Sequence, residues 1–143
     1  MTSKIRHELN LENILALHQR WLSRADGGKR ASLAGTDLSG ADLTRANLTR
    51  ADLLGADLTQ ADLSGADLSG ADLTRANLTR ANLFVADLSG ANLTRTSLTG
   101  ADLFRAYLFE ANLSGADLTQ ADLLRANLAE ANLSGADLTQ ADL

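Results

Sequence analysis

From Ala31 to Gly70 the chain reads ASLAG TDLSG ADLTR ANLTR ADLLG ADLTQ ADLSG ADLSG, and the same five-residue unit runs on without insertion to Leu143. The third position is Leu in all twenty-three units, from Leu33 to Leu143. The first is Ala except at Thr36 and Thr96, and the second is Asp or Asn except at Ser32, Ser97 and Tyr107. The fourth is mostly Ser or Thr, and the fifth is Gly, Arg, Gln, Glu or, once, Val85. A period of five fits neither common element. At ~100° per residue a helix would scatter successive leucines around its axis, and at ~180° per residue a strand would send them to alternate faces. A chain that turns a corner at every unit keeps them together, with the first and third positions inward. Four such sides close a square coil of ~20 residues whose neighbours hydrogen-bond at the ~4.8 Å spacing of a β-ladder.

The tandem A-[DN]-L-[ST]-x unit resembles the pentapeptide repeat family, and the likeness covers residues 31–143. The resemblance implies an all-β solenoid, a right-handed quadrilateral β-helix, here of about 5.6 coils at ~20 residues each. It also implies a non-catalytic module. Some members of that family resemble duplex DNA in width and negative charge, bind bacterial DNA gyrase and protect it from quinolones or toxins. Gyrase is therefore the alternative partner that the resemblance brings.

Outward from the repeat, residues 1–30 are of different composition, with six basic residues against three acids, whereas residues 31–143 carry fifteen acids against seven arginines and no lysine. An open solenoid end exposes core leucines and strand edges, and residues 1–30 read as its helical cap. Leu11, Ile14, Leu15, Leu17, Trp21 and Leu22 recur at helical spacing, Asn10 is a suitable N-cap, and Gly27-Gly28 is a stop, predicting a helix from about Leu11 to Arg24. Trp21 is expected in the core and His18 in a surface or packing role. At the other end the chain stops at Leu143, three residues into a unit, and the expectation is a homodimer formed end to end through the uncapped C-terminal coil.

The 143 residues include no cysteine and two histidines, His7 and His18, which removes disulfides, thiolate metal sites and cysteine nucleophiles. No apolar run reaches the ~20 residues of a membrane span, and no secretory signal opens the chain, so a cytoplasmic location without membrane partners is expected. No cofactor, metal or catalytic residue is indicated, because the aspartates occupy equivalent surface positions rather than a cleft. Direct nucleic-acid binding would need a basic stripe, which the repeat lacks.

Twenty-residue register aligns the outward side chains. Asp42, Asp62, Asn82, Asp102, Asp122 and Asp142 form one column, read either as a solvated surface or as an electronegative face for a basic partner. Their mutual repulsion predicts raised pKa values and a gain in stability on mild acidification. Phe84, Phe104 and Leu124 form another column, with Tyr107 and Phe109 on the adjoining side and Arg105 and Arg125 flanking. This corner is either an apolar ladder tolerated on a β-surface or a protein-binding patch, and the second reading makes the protein an acidic scaffold rod with an unidentified protein partner.

Overall fold

The computed structural model describes residues 10–143; His7, and the rest of residues 1–9 in the expected cap, lie outside them. Helix α1 spans Leu11–Leu22, and the Asn10 side chain accepts the Asn13 N–H at 2.9 Å. It ends two residues earlier than the sequence suggests, and not at the glycines. Arg24 adopts φ 57°, with Arg24 N–H donating to the Trp21 carbonyl and Ala25 N–H to the Arg20 carbonyl, the bond pair of a Schellman motif. The glycines serve the return of the chain along the helix instead. A Cβ on Gly28 would stand 2.3 Å from the Trp21 nitrogen, so only glycine lets the two backbones approach this closely. Just beyond, Lys29 N–H donates to the Leu17 carbonyl and Ala31 N–H to His18 Nδ1, both at 3.0 Å.

Leu11, Ile14 and Leu15 pack on the first coil, whose four leucines are at most 4% exposed. Of the two rings of α1, His18 takes the packing role and Trp21 departs from the core position that the sequence suggests. His18 is fully buried, while Trp21 is half-buried and stacks on it at 5.5 Å. The reason is the hydrogen bond from Ala31, which gives a small polar ring a partner at the junction between helix and coil.

From residue 31 the chain climbs as a square coil. Position-two residues pair in parallel with those twenty residues on, from Ser32 with Asp52 to Asp122 with Asp142. Three hydrogen bonds per side join neighbouring coils: Leu33 N–H to the Asp52 carbonyl at 2.7 Å, Asp52 N–H to the Ala31 carbonyl at 2.9 Å, and Gly35 N–H to the Leu54 carbonyl at 2.8 Å set the pattern. A fourth closes each corner, as Thr36 N–H donates to the Leu33 carbonyl at 3.1 Å. The fifth residue of every complete unit has φ between 55° and 68°, the left-handed value that a type II turn requires at its third residue. Leucines from Leu33 to Leu123 are at most 4% exposed, with the small alanines between them bringing the walls together. Thr96, in an alanine place, is satisfied because its hydroxyl donates to the Leu73 carbonyl at 2.7 Å. Burial declines along the last coil, where Leu128, Leu133 and Leu138 are half-buried and Leu143 is 72% exposed.

Candidate protein-binding face

Four of the five backbone N–H groups in a unit are used by the ladder and the corner; the fourth-position N–H is left over. The second-position side chain takes it. Every Asp or Asn from Asp37 to Asp137 accepts the N–H two residues on, as in Asp57 with Thr59 at 3.0 Å or Asp102 with Phe104 at 2.9 Å. Where the fourth residue is Ser or Thr, its hydroxyl often donates to the same oxygen, at 2.6 Å for Thr59. These are Asx turns, and they explain the [DN]-x-[ST] spacing as a structural device. The acidic columns are therefore half-structural, not simply a solvated or partner-facing charge.

This corrects the expected electrostatics. The carboxyls of Asp42, Asp117 and Asp137 are held below the usual carboxylate range, first by the hydroxyl and then by the backbone N–H of Thr44, Thr119 and Thr139 respectively. Like-charge repulsion does appear, from Asp117 onto Asp137, but it is the smallest influence on that group. Hydrogen bonds to the charged form outweigh a neighbour of the same sign in open solvent.

Against this regular background the third face (units starting at Ala41, Ala61, Ala81, Ala101, Ala121) and the fourth (Ala46, Ala66, Ala86, Ala106, Ala126) depart from the rule together. Phe84 and Phe104 replace the fourth-position hydroxyl and stack with parallel rings, centroids 6.0 Å apart. Arg125 lies over the Phe104 ring at 5.9 Å, close enough for a cation–π contact. Phe84 and Leu124 are 43% and 42% exposed, while Phe104, sandwiched between neighbours, is half-buried. Tyr107 is 50% exposed and Phe109 is exposed beside it on the fourth face. The structure thus brings Phe84, Phe104 and Arg125 into contact, whereas Tyr107 and Phe109 make no ring contact with them. Arg105 is exposed at the corner between the two sides.

Two deviations at this corner were legible in the sequence only as substitutions. Val85 holds φ 55°, a conformation that a β-branched residue adopts only under strain. Tyr107 stands in an Asx position with no acceptor to offer the Phe109 N–H. Leu54, 45% exposed on the first face, is an apolar departure that the column argument missed, because it stands alone in its register. Among the described residues no group of His, Cys, Asp and Glu could hold a metal ion, and no helix is long and apolar enough to cross a membrane.

The family model for pentapeptide repeats matches residues 29–65, 56–83, 81–120 and 106–143, in eight copies. Among solved structures the chain is similar to a pentapeptide repeat protein, Rfr23, of the cyanobacterium Cyanothece 51142. The identity is 30% over 92% of this chain and 98% of that one, with a TM-score of 0.77. It is also similar to HetL of Nostoc sp. strain PCC 7120, a pentapeptide repeat protein involved in heterocyst differentiation regulation, at 37% identity over 80% of this chain and 69% of that one, with a TM-score of 0.52. A third likeness, to the plasmid-mediated fluoroquinolone resistance protein QnrB1, has 18% identity over 78% of this chain and 70% of that one, with a TM-score of 0.65, and shows the fold alone. No curated protein sequence matches this chain.

Proposed function

Because this chain belongs to the pentapeptide repeat family and folds as its right-handed quadrilateral β-helix, we propose that it is a non-catalytic protein-binding rod. Its contact face is the corner of Phe84, Phe104, Leu124, Tyr107 and Phe109, flanked by Arg105 and Arg125. One observation carries this reading: the exposed aromatics coincide with places where the fold forgoes its own devices. Val85 accepts a strained turn beside Phe84, and Tyr107 gives up an Asx cap. Local rules broken together mark function more often than chance decoration. The rings stand on rigid backbone with few rotatable bonds, as interface anchors do, and arginines at the rim suit acids on the partner. Replacing Phe104 by Ser and Phe109 by Thr restores residues that the repeat already uses. The expected result is an unchanged melting temperature and loss of the proteins that the parent chain captures from lysate. A large fall in melting temperature with capture intact would mean that the rings are structural.

The alternative is a DNA mimic directed at gyrase, supported by the acidic column Asp42, Asp62, Asp102, Asp122 and Asp142. Against it, arginines stand at corners of all four faces, and the QnrB1 likeness carries the fold only. A supercoiling assay decides it: protection of gyrase from a quinolone supports mimicry, and unaltered inhibition removes it.

A further inference from the structure

A second departure lies on the opposite side of the rod, where the first face (units starting at Ala31, Ala51, Ala71, Ala91, Ala111, Ala131) meets the second (Thr36, Ala56, Ala76, Thr96, Ala116, Ala136). Arg75 and Arg95 occupy the same corner one coil apart, so like charges sit one above the other at the ~4.8 Å ladder spacing. Adjacent like charges in register are destabilising, and neither guanidinium has an ion-pair or hydrogen-bond partner among the described residues. The stem of Arg95 leans onto Gly115, its Cγ 3.4 Å from where a Cβ would be. The pair borders an open groove of about 390 Å³ that runs up the fourth positions from Leu54 past Thr74 and Thr94 to Ser114.

The acids thin out at this corner, although Asp72 stays at the level of Arg75 and accepts from the hydroxyl of groove-lining Thr74 at 2.6 Å. On the second face the Asx column carries Asp57 below and Asp117 above, but Asn77 and Ser97 at the two levels of the arginines. On the first face the column changes from Asp52 and Asp72 to Asn92, Asn112 and Asn132. Asn77 and Asn92 keep their caps, to Thr79 and Thr94, at 3.1 and 3.2 Å. Ser97 does not: its hydroxyl contacts that of Thr79 at 3.0 Å, and the Thr99 N–H loses the side-chain acceptor that an Asp would supply. An acid is thus missing where the fold would benefit from one, at the level of Arg95.

We propose that this groove is a binding site for an organic phosphate monoester, with the dianion held between Arg75 and Arg95 and the apolar body on Leu54. A planar guanidinium matches phosphate oxygens in pairs, and a dianion cancels the repulsion between the stacked corners. The Thr74 and Thr94 hydroxyls already donate to Asp72 and Asn92, so the arginines carry the anion, and 45% exposed Leu54 provides the apolar floor that inorganic phosphate would not use.

The test is an amide NMR titration with phenyl phosphate and, separately, inorganic phosphate in the millimolar range. Expected are saturable shifts confined to residues 74–75, 94–95 and 114–115, joined by 54–55 with phenyl phosphate, which should bind more tightly, and the Leu54→Ser variant should erase that preference. Gln is native to the same turn position at Gln60, Gln120 and Gln140, so the pair Arg75→Gln and Arg95→Gln keeps the fold and should weaken binding at least about tenfold. Ser97→Asp separates the site from the scaffold, because it restores a cap and should raise the melting temperature while weakening binding. Equal affinity of the two phosphates would overturn the organic ligand. Binding that survives in the double Gln variant, or falls as much in Arg45→Gln as in that variant, would overturn the site.

Discussion

At the scale of the residue, the repeat assigns each position one physical task, and the exceptions are measurable. Val85 is the β-branched residue among the left-handed corners, and Val85→Gly removes a steric cost of about 1–2 kcal/mol. Part of that gain is offset because glycine frees the unfolded chain. A net rise in stability of about 1 kcal/mol in urea denaturation is expected; a fall would mean that Val85 packs well enough to outweigh its backbone. Tyr107→Asn gives the Phe109 N–H the acceptor that Asn127 supplies one coil above, where the bond to Ala129 is 3.1 Å. It should stabilise by about 1 kcal/mol and weaken partner capture in the same variant. Stability and binding rising together would contradict the assignment of Tyr107 to the contact face.

At the scale of the element, α1 is joined to the coil through one buried titratable ring. Burial pushes the pKa of His18 below its ordinary value; the Thr49 backbone partly opposes this, and the positive charge of Arg30 adds to it. Nδ1 already accepts the Ala31 N–H, so the neutral ring carries its proton on Nε2. A second proton on Nδ1 would break the junction. Since the folded pKa lies below the unfolded value near 6.5, the unfolded chain takes up the proton first. The stability contributed by neutral His18 is full above pH 6.5 and is lost as pH falls through the folded pKa. The Asp caps add a separate window. With carboxyls held below the usual range at Asp42, Asp117 and Asp137, their contribution is complete above the unfolded value near 4 and is lost in more acid solution. Trp21, the single tryptophan, stacks on His18 and reports the first window by fluorescence. Its emission should change only as pH falls below the ordinary histidine value near 6.5, as a step distinct from the Asp window. A His18→Gln variant should lose the first step and keep the second.

At the scale of the whole molecule, each coil touches only its neighbours, so stability is a sum of local terms along one axis. Leu83 is fully buried in the middle of the rod, whereas Leu138 is half-buried in the last coil. Leu83→Ala should cost about 2–5 kcal/mol and broaden or split the unfolding transition, because the two halves of the solenoid lose their coupling. Leu138→Ala should cost less and leave the transition single. Equal losses at the two sites would argue for an all-or-none rod without the nearest-neighbour character of a solenoid. The two faces argued above lie at opposite corners of the square section, so substitution at the Arg75–Arg95 groove should leave capture through the aromatic corner unaltered.

The sequence alone determined a coil that turns at every fifth residue with Ala and Leu inward, the family resemblance supplied its square section and hand, and twenty-residue register then placed Phe84 under Phe104 and Leu124. It also located the helix, since apolar spacing and an Asn cap are local signals. Tertiary structure decided what period cannot carry. Which N–H group of each unit needs the Asp or Asn became visible only when the inter-coil ladder had claimed the others, and that converted an apparently acidic surface into a set of turn caps. The burial of His18 in place of Trp21 depended on the chain returning past Gly28 to offer the Ala31 N–H. The acid-poor corner around Arg75 and Arg95 required both neighbouring faces at once, because residues far apart in the chain create one electrostatic environment only after the coil has closed.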